Sequence, residues 1–205
     1  MYPKSVLANV KGRNVLCLAS GGGQQSAVFG LLGARVTVAD LAEGQLSGDR
    51  RAAAYYGYEV TTVHADMRDL SCLGDASFDL VYQAASAAYV PDIRQVYSEV
   101  ARVLRTGGLY RVSFTNPVAE FADWDGHAYR ITIPYAERTL RRADGTIEFR
   151  HRLCDIFNGL LDLGLSIQEL QEDPQYEQQD MQPAPGSWAH YLLYFPTFAV
   201  VARKE

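Results

Sequence analysis

The chain has 205 residues, 48% of them hydrophobic, enough to bury one sizeable core but not a second full domain. Its 24 acidic side chains outnumber 19 basic ones for a net charge of -5, and no Lys/Arg-rich block occurs, which disfavours nucleic acid or an acidic membrane surface as partner. Cys17, Cys72 and Cys154 form no CxxC pair, and His64, His127, His151 and His190 are as scattered, so no disulfide framework or metal site is expected; the chain reads as cytoplasmic.

Residues 1–12 are a short lead-in in which Val6, Leu7 and Val10 suit one turn packed on a sheet. The apolar run 14–18 then predicts a buried strand, and Ser20-Gly21-Gly22-Gly23 a tight turn. A helix starts at Gln24, with Ala27, Val28, Leu31 and Leu32 at helical spacing until Gly33, and Val36-Thr37-Val38-Ala39 is a second strand ending on Asp40. In such a unit three glycines let the main chain approach a ligand, the helix start offers free N–H groups, and Asp40 can accept two ribose hydroxyls. A nucleoside-containing ligand is the expectation, against a plain turn and a helix-capping aspartate.

A helix over 42–56 ends at Gly57, and 58–63 alternates as a third strand leading to Asp66. If the strands are parallel, Asp66 lies on the same sheet edge as Asp40. There it can accept an adenine amine while the Met67 N–H donates to the ring; the alternative is a cap on a short helix over 68–72. Strand 78–82 is followed by the small-residue loop Gln83-Ala84-Ala85-Ser86. Ile93, Val96, Tyr97, Val100, Val103 and Leu104 predict a helix ended by Gly107-Gly108, with a fifth strand over 109–115. The stretch 116–150 breaks the alternation and is read as an inserted hairpin or flap, 128–133 pairing with 146–149 through an Asp144-Gly145 turn. A helix carrying Leu153, Ile156, Phe157, Leu160 and Leu161 closes at Gly164, and 165–170 is a sixth strand. The proline-broken loop 171–187 is expected to be a lid or disordered, and 188–204 to supply a last, antiparallel strand. The most apolar tract, 191–202, is too short to span a membrane and is broken by Pro196, and the N-terminus has no signal-peptide pattern.

VLCLASGGGQQS, VTVADL, VHADMRDL, SFDLVYQ and EVARVLRTGGLYRVSF, in that order, give the chain from Asn14 to Glu205 a resemblance to the class I S-adenosylmethionine-dependent methyltransferases of small-molecule type. The resemblance implies a single-domain α/β Rossmann-like methyltransferase fold, with a mostly parallel seven-stranded sheet, an antiparallel last strand and helices on both faces. It implies S-adenosylmethionine as cofactor. Ala19, Ser20, Gly21 and Gly23 would lie in the loop beside its methionine portion and ribose, Asp40 on the ribose hydroxyls, Leu41 beside the adenine, Asp66 and Met67 at the adenine edge, and Gln83 near the methionine moiety. Two departures stand out. Cys17 and Ala19 occupy positions where the family usually has an acid and its first glycine, leaving Gln24 or Gln25 to serve the cofactor end. The short lead-in also leaves the cover over the cofactor to the 116–150 flap, the 171–187 loop or the second subunit of a homodimer.

Methyl transfer from a sulfonium is an in-line displacement in which positioning supplies much of the rate; a general base helps a hydroxyl or protonated amine acceptor. Tyr89, His127 and His151 are the candidates for that base, and Arg138, Arg141, Arg142 and Arg150 could draw in an anion. Gln83-Ala84-Ala85-Ser86 lacks the Asn/Asp-Pro-Pro-aromatic spelling of methyltransferases acting on planar nitrogens, so a small-molecule acceptor is expected rather than nucleic acid. Two alternatives stay open at this point: a nicotinamide-dependent oxidoreductase, from Gly21-x-Gly23-x-x-Ser26, and a non-catalytic S-adenosylmethionine-binding protein, from Cys17 and Ala19.

Overall fold

In the computed structural model, which describes residues 4–172 and 182–205, strand β1 (Asn14–Leu18) lies inside the sheet and is buried from Val15 onward. Because successive side chains of a strand point to opposite faces, Leu16 and Leu18 join one core and Val15 and Cys17 the other. The second core is closed by helices α1 (Gln24–Leu31) and α2 (Glu43–Tyr56), through Phe29 and Leu46, and by Val6 and Val10 of the lead-in. The first is closed by α3 (Ile93–Val103) and α4 (Leu153–Leu161), whose apolar stripes bury Val96, Tyr97, Val100, Ile156 and Leu160. Helices therefore cover both faces.

The remaining strands of the sheet are β2 (Arg35–Asp40), β3 (Val60–His64), β4 (Phe78–Gln83), β5 (Leu104–Phe114), β10 (Leu165–Glu172) and β11 (Phe198–Lys204). Their order is β3-β2-β1-β4-β5-β11-β10. Val15 pairs in parallel with Val36 on one side and Leu80 on the other, whereas β11 is antiparallel to both neighbours, Val200 facing Val112 and Leu170. The chain winds outward from β1 to β3 and then returns to the other side at β4. That reversal opens a crevice at the carboxyl ends of β1 and β4.

Three expectations and one alternative reading need correction. Gly107-Gly108 do not end α3, which stops at Val103; they lie within β5, where the pairing with β4 jumps from Phe78↔Leu104 to Leu80↔Leu109. Gly107 has φ 78°, and a Cβ on Gly108 would sit 2.8 Å from the Arg105 carbonyl oxygen, so a bulge, rather than a helix stop, requires these residues. The insertion holds two small hairpins: β6 (Asp123–Trp124) with β7 (Tyr129–Arg130), and β8 (Thr139–Arg141) with β9 (Ile147–Phe149), the Asp144-Gly145 turn closing the second. No helix forms over 68–72, where the Asp66 and Asp69 carboxylates instead accept from the backbone N–H groups two residues on. Finally, the expected last strand is shorter at its start, because Trp188–Tyr194 is a helix, α5, capped by Ser187 accepting from the His190 N–H. Most of the expected loop over 171–187 lies outside the described residues. Among the described residues no helix is long and apolar enough to cross a membrane.

Candidate functional site

Four loops leave the carboxyl edge of the sheet around one cavity of about 680 Å³. Ala19, Ser20 and Gly21 follow β1; Asp40, Leu41 and Ala42 follow β2; Asp66, Met67 and Arg68 follow β3; Ala84, Ala85 and Ser86 follow β4, with Gln45 of α2 and Tyr89 and Val90 completing the wall. Asp40 and Asp66, 26 residues apart in sequence, thus share one crevice with the glycine turn because β2 and β3 are parallel neighbours in register.

The turn is built from unusual backbone. Ala19, Gly22 and Gly23 have φ of 43°, 93° and 89°, which bends the chain from β1 into α1. Gly23 is the N-cap of α1 and supplies no side chain to cap its first turn. A Cβ on Gly23 would lie 2.7 Å from the Ala52 Cβ and 3.0 Å from the Gly48 carbonyl oxygen, so α2 packs directly behind the turn. From that helix Asp49, 2% exposed, accepts a hydrogen bond from Ser26 Oγ, and Tyr58 OH lies 2.9 Å from the same hydroxyl oxygen. Burial raises the Asp49 carboxyl above its usual range, with the Ser26 hydroxyl and the Gly22 and Gly23 amides pulling the other way. Burial also pushes the Cys17 thiol far up, with the Asp49 carboxyl adding to it, so Cys17 stays protonated and apolar in character.

Around the cavity Asp40 Oδ1 accepts from the Ala42 N–H at 2.8 Å, and His64 Nε2 donates to the Leu41 carbonyl at 2.8 Å, fixing the loop that carries the exposed Leu41 side chain. Asp66 is gripped by Arg68: its Oδ1 accepts from the Arg68 backbone N–H and Nε, and its Oδ2 from the second guanidinium nitrogen at 2.6 Å. This bonding holds the Asp66 carboxyl below its usual range. Gly23 and Gln83 stand behind the cavity rather than in its wall. Gln83 is fully buried; it accepts from Tyr110 OH and donates to Ser86 Oγ at 3.0 Å and to Met67 Sδ at 3.4 Å, thereby supporting two wall residues.

A second cavity of about 310 Å³ shares Ala85 and Tyr89 with the first. Ser113, Phe114 and Thr115 at the end of β5 form one side of it, and Glu120, Arg142, Glu148, His151, Ile156 and Trp188 the rest. His151 is buried; its Nε2–H donates to the Ala87 carbonyl at 2.9 Å, and desolvation lowers its basicity. Tyr89, 56% exposed, stands at the junction of the two chambers. His127 is exposed in the β6–β7 hairpin and lines neither of them. Arg138 pairs with Asp155 and Arg142 with Glu148, while the buried Arg150 lies over the Phe121 ring at 4.2 Å and donates to the Pro134 and Glu137 carbonyls. These three arginines thus hold the insertion together. Sequence reasoning missed Glu120, Thr115, Trp188 and Asp49; the one available signal was an acid placed shortly after the carboxyl end of a sheet strand. Among the described residues no three His, Cys, Asp or Glu side chains are grouped to hold a metal ion.

A sequence family described as a methyltransferase domain matches residues 16–112. The chain is 36% identical over 185 residues to the "Uncharacterized methyltransferase YbaJ" of Bacillus subtilis, covering 83% of this chain and 72% of that protein. It is 33% identical over 97 residues to a "Ubiquinone biosynthesis O-methyltransferase" of Idiomarina loihiensis, covering 47% of this chain and 40% of the relative. In fold it is similar to the crystal structure of an S-adenosylmethionine-dependent methyltransferase from Mesorhizobium loti, with a TM-score of 0.80 and 24% identity over 98% of this chain and 95% of the other.

Proposed function

Since the chain belongs to the class I S-adenosylmethionine-dependent methyltransferases, we propose that it methylates a small-molecule acceptor, with the cofactor in the 680 Å³ cavity and the acceptor entering from the adjoining 310 Å³ chamber. The observation that carries this reading is the convergence of Asp40, Asp66 and the glycine turn on one crevice. The residues present fit an adenosine: among the described residues Asp40 keeps an oxygen free of protein hydrogen bonds for ribose hydroxyls, Leu41 and Met67 offer apolar surface to a base, and Asp66 offers a carboxylate to its amine. Ala19, Ser20 and Gly21 approach the cofactor through backbone, and Gly23 lets α1 start there without a side chain in the way. Gln83 acts from behind, by fixing Met67 and Ser86.

Bound there, the cofactor supplies an electrophilic methyl group on a sulfonium sulfur. The protein's part is to orient the acceptor and keep water away, which the apolar walls of the second chamber, Phe114, Ile156 and Trp188, favour. A chamber of this size suits a compact molecule, and the name of the Idiomarina loihiensis relative supports a small acceptor. Exposed free thiols at Cys72 and Cys154 support the cytoplasm as the compartment.

Calorimetric titration of S-adenosylmethionine, S-adenosylhomocysteine and NADH tests the reading. Saturable binding of the two sulfur compounds, weakened by Asp40→Ala, is the expected result; tight NADH binding without them would overturn it in favour of a hydride-transfer enzyme.

A further inference from the structure

Resting on the methyltransferase reading, we propose that Glu120 is the general base of this enzyme and that its chamber takes a compact, uncharged acceptor of the phenol class, methylated on its hydroxyl oxygen. Glu120 lies in the wall of the 310 Å³ chamber that meets the cofactor cavity at Ala85 and Tyr89. Its Oε1 accepts from Thr115 Oγ1 at 2.7 Å, and its other oxygen takes no hydrogen bond among the described residues. The other carboxylate of the chamber, Glu148, is already held by two Arg142 N–H groups at 2.9 and 2.6 Å. His151 has its Nε2–H tied to the Ala87 carbonyl, and burial makes it a poorer base. Glu120 is thus the acidic group of this chamber with an open oxygen.

The surroundings also select the acceptor. Phe114, Tyr89, Trp188 and Ile156 present flat or apolar surface suited to a ring. Arg142 and Arg150 act on Glu120 against Glu148, but in the wall itself Arg142 is already paired with Glu148, so an anionic acceptor finds no open cation there, and a Glu120 carboxyl raised to about 7 gives a cationic one little hold. Tyr191 of α5 is a further titratable neighbour, held protonated by burial and by Glu120. Burial raises the Glu120 carboxyl to about 7, opposed by the Thr115 hydroxyl and the two arginines, so base and acid forms are both accessible near neutrality. In the step itself the acceptor O–H proton passes to the open Glu120 oxygen as the acceptor oxygen bonds to the methyl carbon. The electron pair of the broken carbon–sulfur bond stays on sulfur, giving a methyl ether, a neutral thioether and a protonated Glu120 that returns its proton to solvent.

The test uses the full chain with para-nitrophenol, para-nitroaniline and para-nitrobenzoate as matched probes. Without turnover, a carboxylate beside the bound phenol raises the pH at which it ionises, so the absorbance titration of bound para-nitrophenol is expected to move to lower pH in Glu120→Gln; an unmoved titration overturns the placement. With S-adenosylmethionine saturating, the phenol alone should be methylated; with para-cresol in its place, a phenol that ionises far above neutrality, the rate should fall by roughly 100-fold in Glu120→Gln, and the ascending limb of kcat/KM near neutrality should vanish. Thr115→Val keeps the base and removes a bond that lowers its pKa, so it should shift that limb to higher pH. Preferential methylation of the aniline or benzoate, or no product from the phenol, overturns the acceptor class. A wild-type rate or a retained limb in Glu120→Gln overturns the base. Calorimetry of S-adenosylmethionine binding together with its conversion to S-adenosylhomocysteine over a broad metabolite panel separates these failures from failure of the methyltransferase reading, because only the latter abolishes cofactor binding or leaves every acceptor unmethylated.

Discussion

The hydroxyl of Ser26 on α1 donates a hydrogen bond to the carboxylate of Asp49 on α2, behind the Gly22-Gly23 turn. Asp49 is 2% exposed, and its carboxyl is close enough to Cys17 to raise that thiol's pKa. A buried acid therefore reaches the neighbourhood of the turn from the second helix, where related enzymes usually carry one on the first strand.

Removing that acid should loosen the turn. Asp49→Ala takes the acceptor from the Gly22 and Gly23 amides and leaves the Ser26 hydroxyl with Tyr58 alone, and is expected to lower stability by about 1–3 kcal/mol and to weaken cofactor binding. Asp49→Asn keeps the shape and should be milder. The wild-type carboxyl has a folded pKa raised above 3.8, so its contribution is complete below that value and is lost as pH rises through the folded pKa. Asparagine does not titrate. Urea unfolding from about pH 4 to about pH 7 should then show the balance moving steadily in favour of Asp49→Asn; a pH-independent difference would contradict the assignment.

Ala19 holds φ 43° in the turn, a conformation that places its Cβ against the backbone. Its N–H is bonded to the Ala39 carbonyl at 2.8 Å, so the chain cannot relax there without breaking a link between β1 and β2. Ala19→Gly is expected to raise stability by about 1 kcal/mol, the strain relieved exceeding the entropy added to the unfolded chain. A thermal melt measures it, and a lowered Tm would count against strain at this position.

What could be read from the residues alone divides along physical lines. The β1–α1–β2 unit and the shared edge of Asp40 and Asp66 were legible because apolar runs, glycine turns and strand tips are local patterns, and parallel pairing then brings the tips together; the apolar stripe expected on α1 does not form, since Val28, Leu31 and Leu32 are exposed and Phe29 enters the core instead. Gly107-Gly108 misled because a bulge and a helix stop ask for the same backbone freedom. Trp188, Tyr191, Tyr194 and Phe195 read as strand by composition, yet their spacing by three and four places Tyr191 in the interior of a short helix. Asp49 could not be found, because tertiary packing alone brings it behind the turn, and Glu120 had only its place shortly after the end of β5 to mark it, its turn into the second chamber being tertiary.

Asp40 should contribute more to cofactor binding than its neighbour's ion pair takes away. Hydrogen bonds to a charged group are worth about 1.5–3 kcal/mol, so Asp40→Ala is expected to weaken S-adenosylhomocysteine binding by roughly 10–100-fold. On the proposed reading the adenine amine would compete with Arg68 for Asp66, but that pair is partly exposed, with 43% of the Arg68 side chain accessible. Such pairs are worth at most about 1 kcal/mol, so Arg68→Ala should tighten binding by no more than about fivefold. Calorimetry on both variants checks the ordering; a large loss on Arg68→Ala would make the arginine itself a ligand-holding group.

Tyr110 and Gln83 are both fully buried, and the tyrosine hydroxyl donates to the Gln83 side-chain oxygen from the middle of β5 to the tip of β4. Burial holds the Tyr110 hydroxyl protonated, so it remains a donor throughout the usual pH range. Gln83 in turn orients Ser86 and Met67, both in the cavity wall. Tyr110→Phe fills the same space but leaves the amide oxygen without a donor in a dry setting, which should lower stability by about 1–3 kcal/mol. The loss should reach the site as well: with Gln83 released, Met67 is no longer fixed in the cavity wall where the adenine is proposed to bind, and cofactor affinity is expected to drop while the Asp40 contribution persists. A double-mutant cycle of Tyr110→Phe with Asp40→Ala, read by calorimetry, distinguishes this from general loosening, since independent effects add and a collapsed site does not.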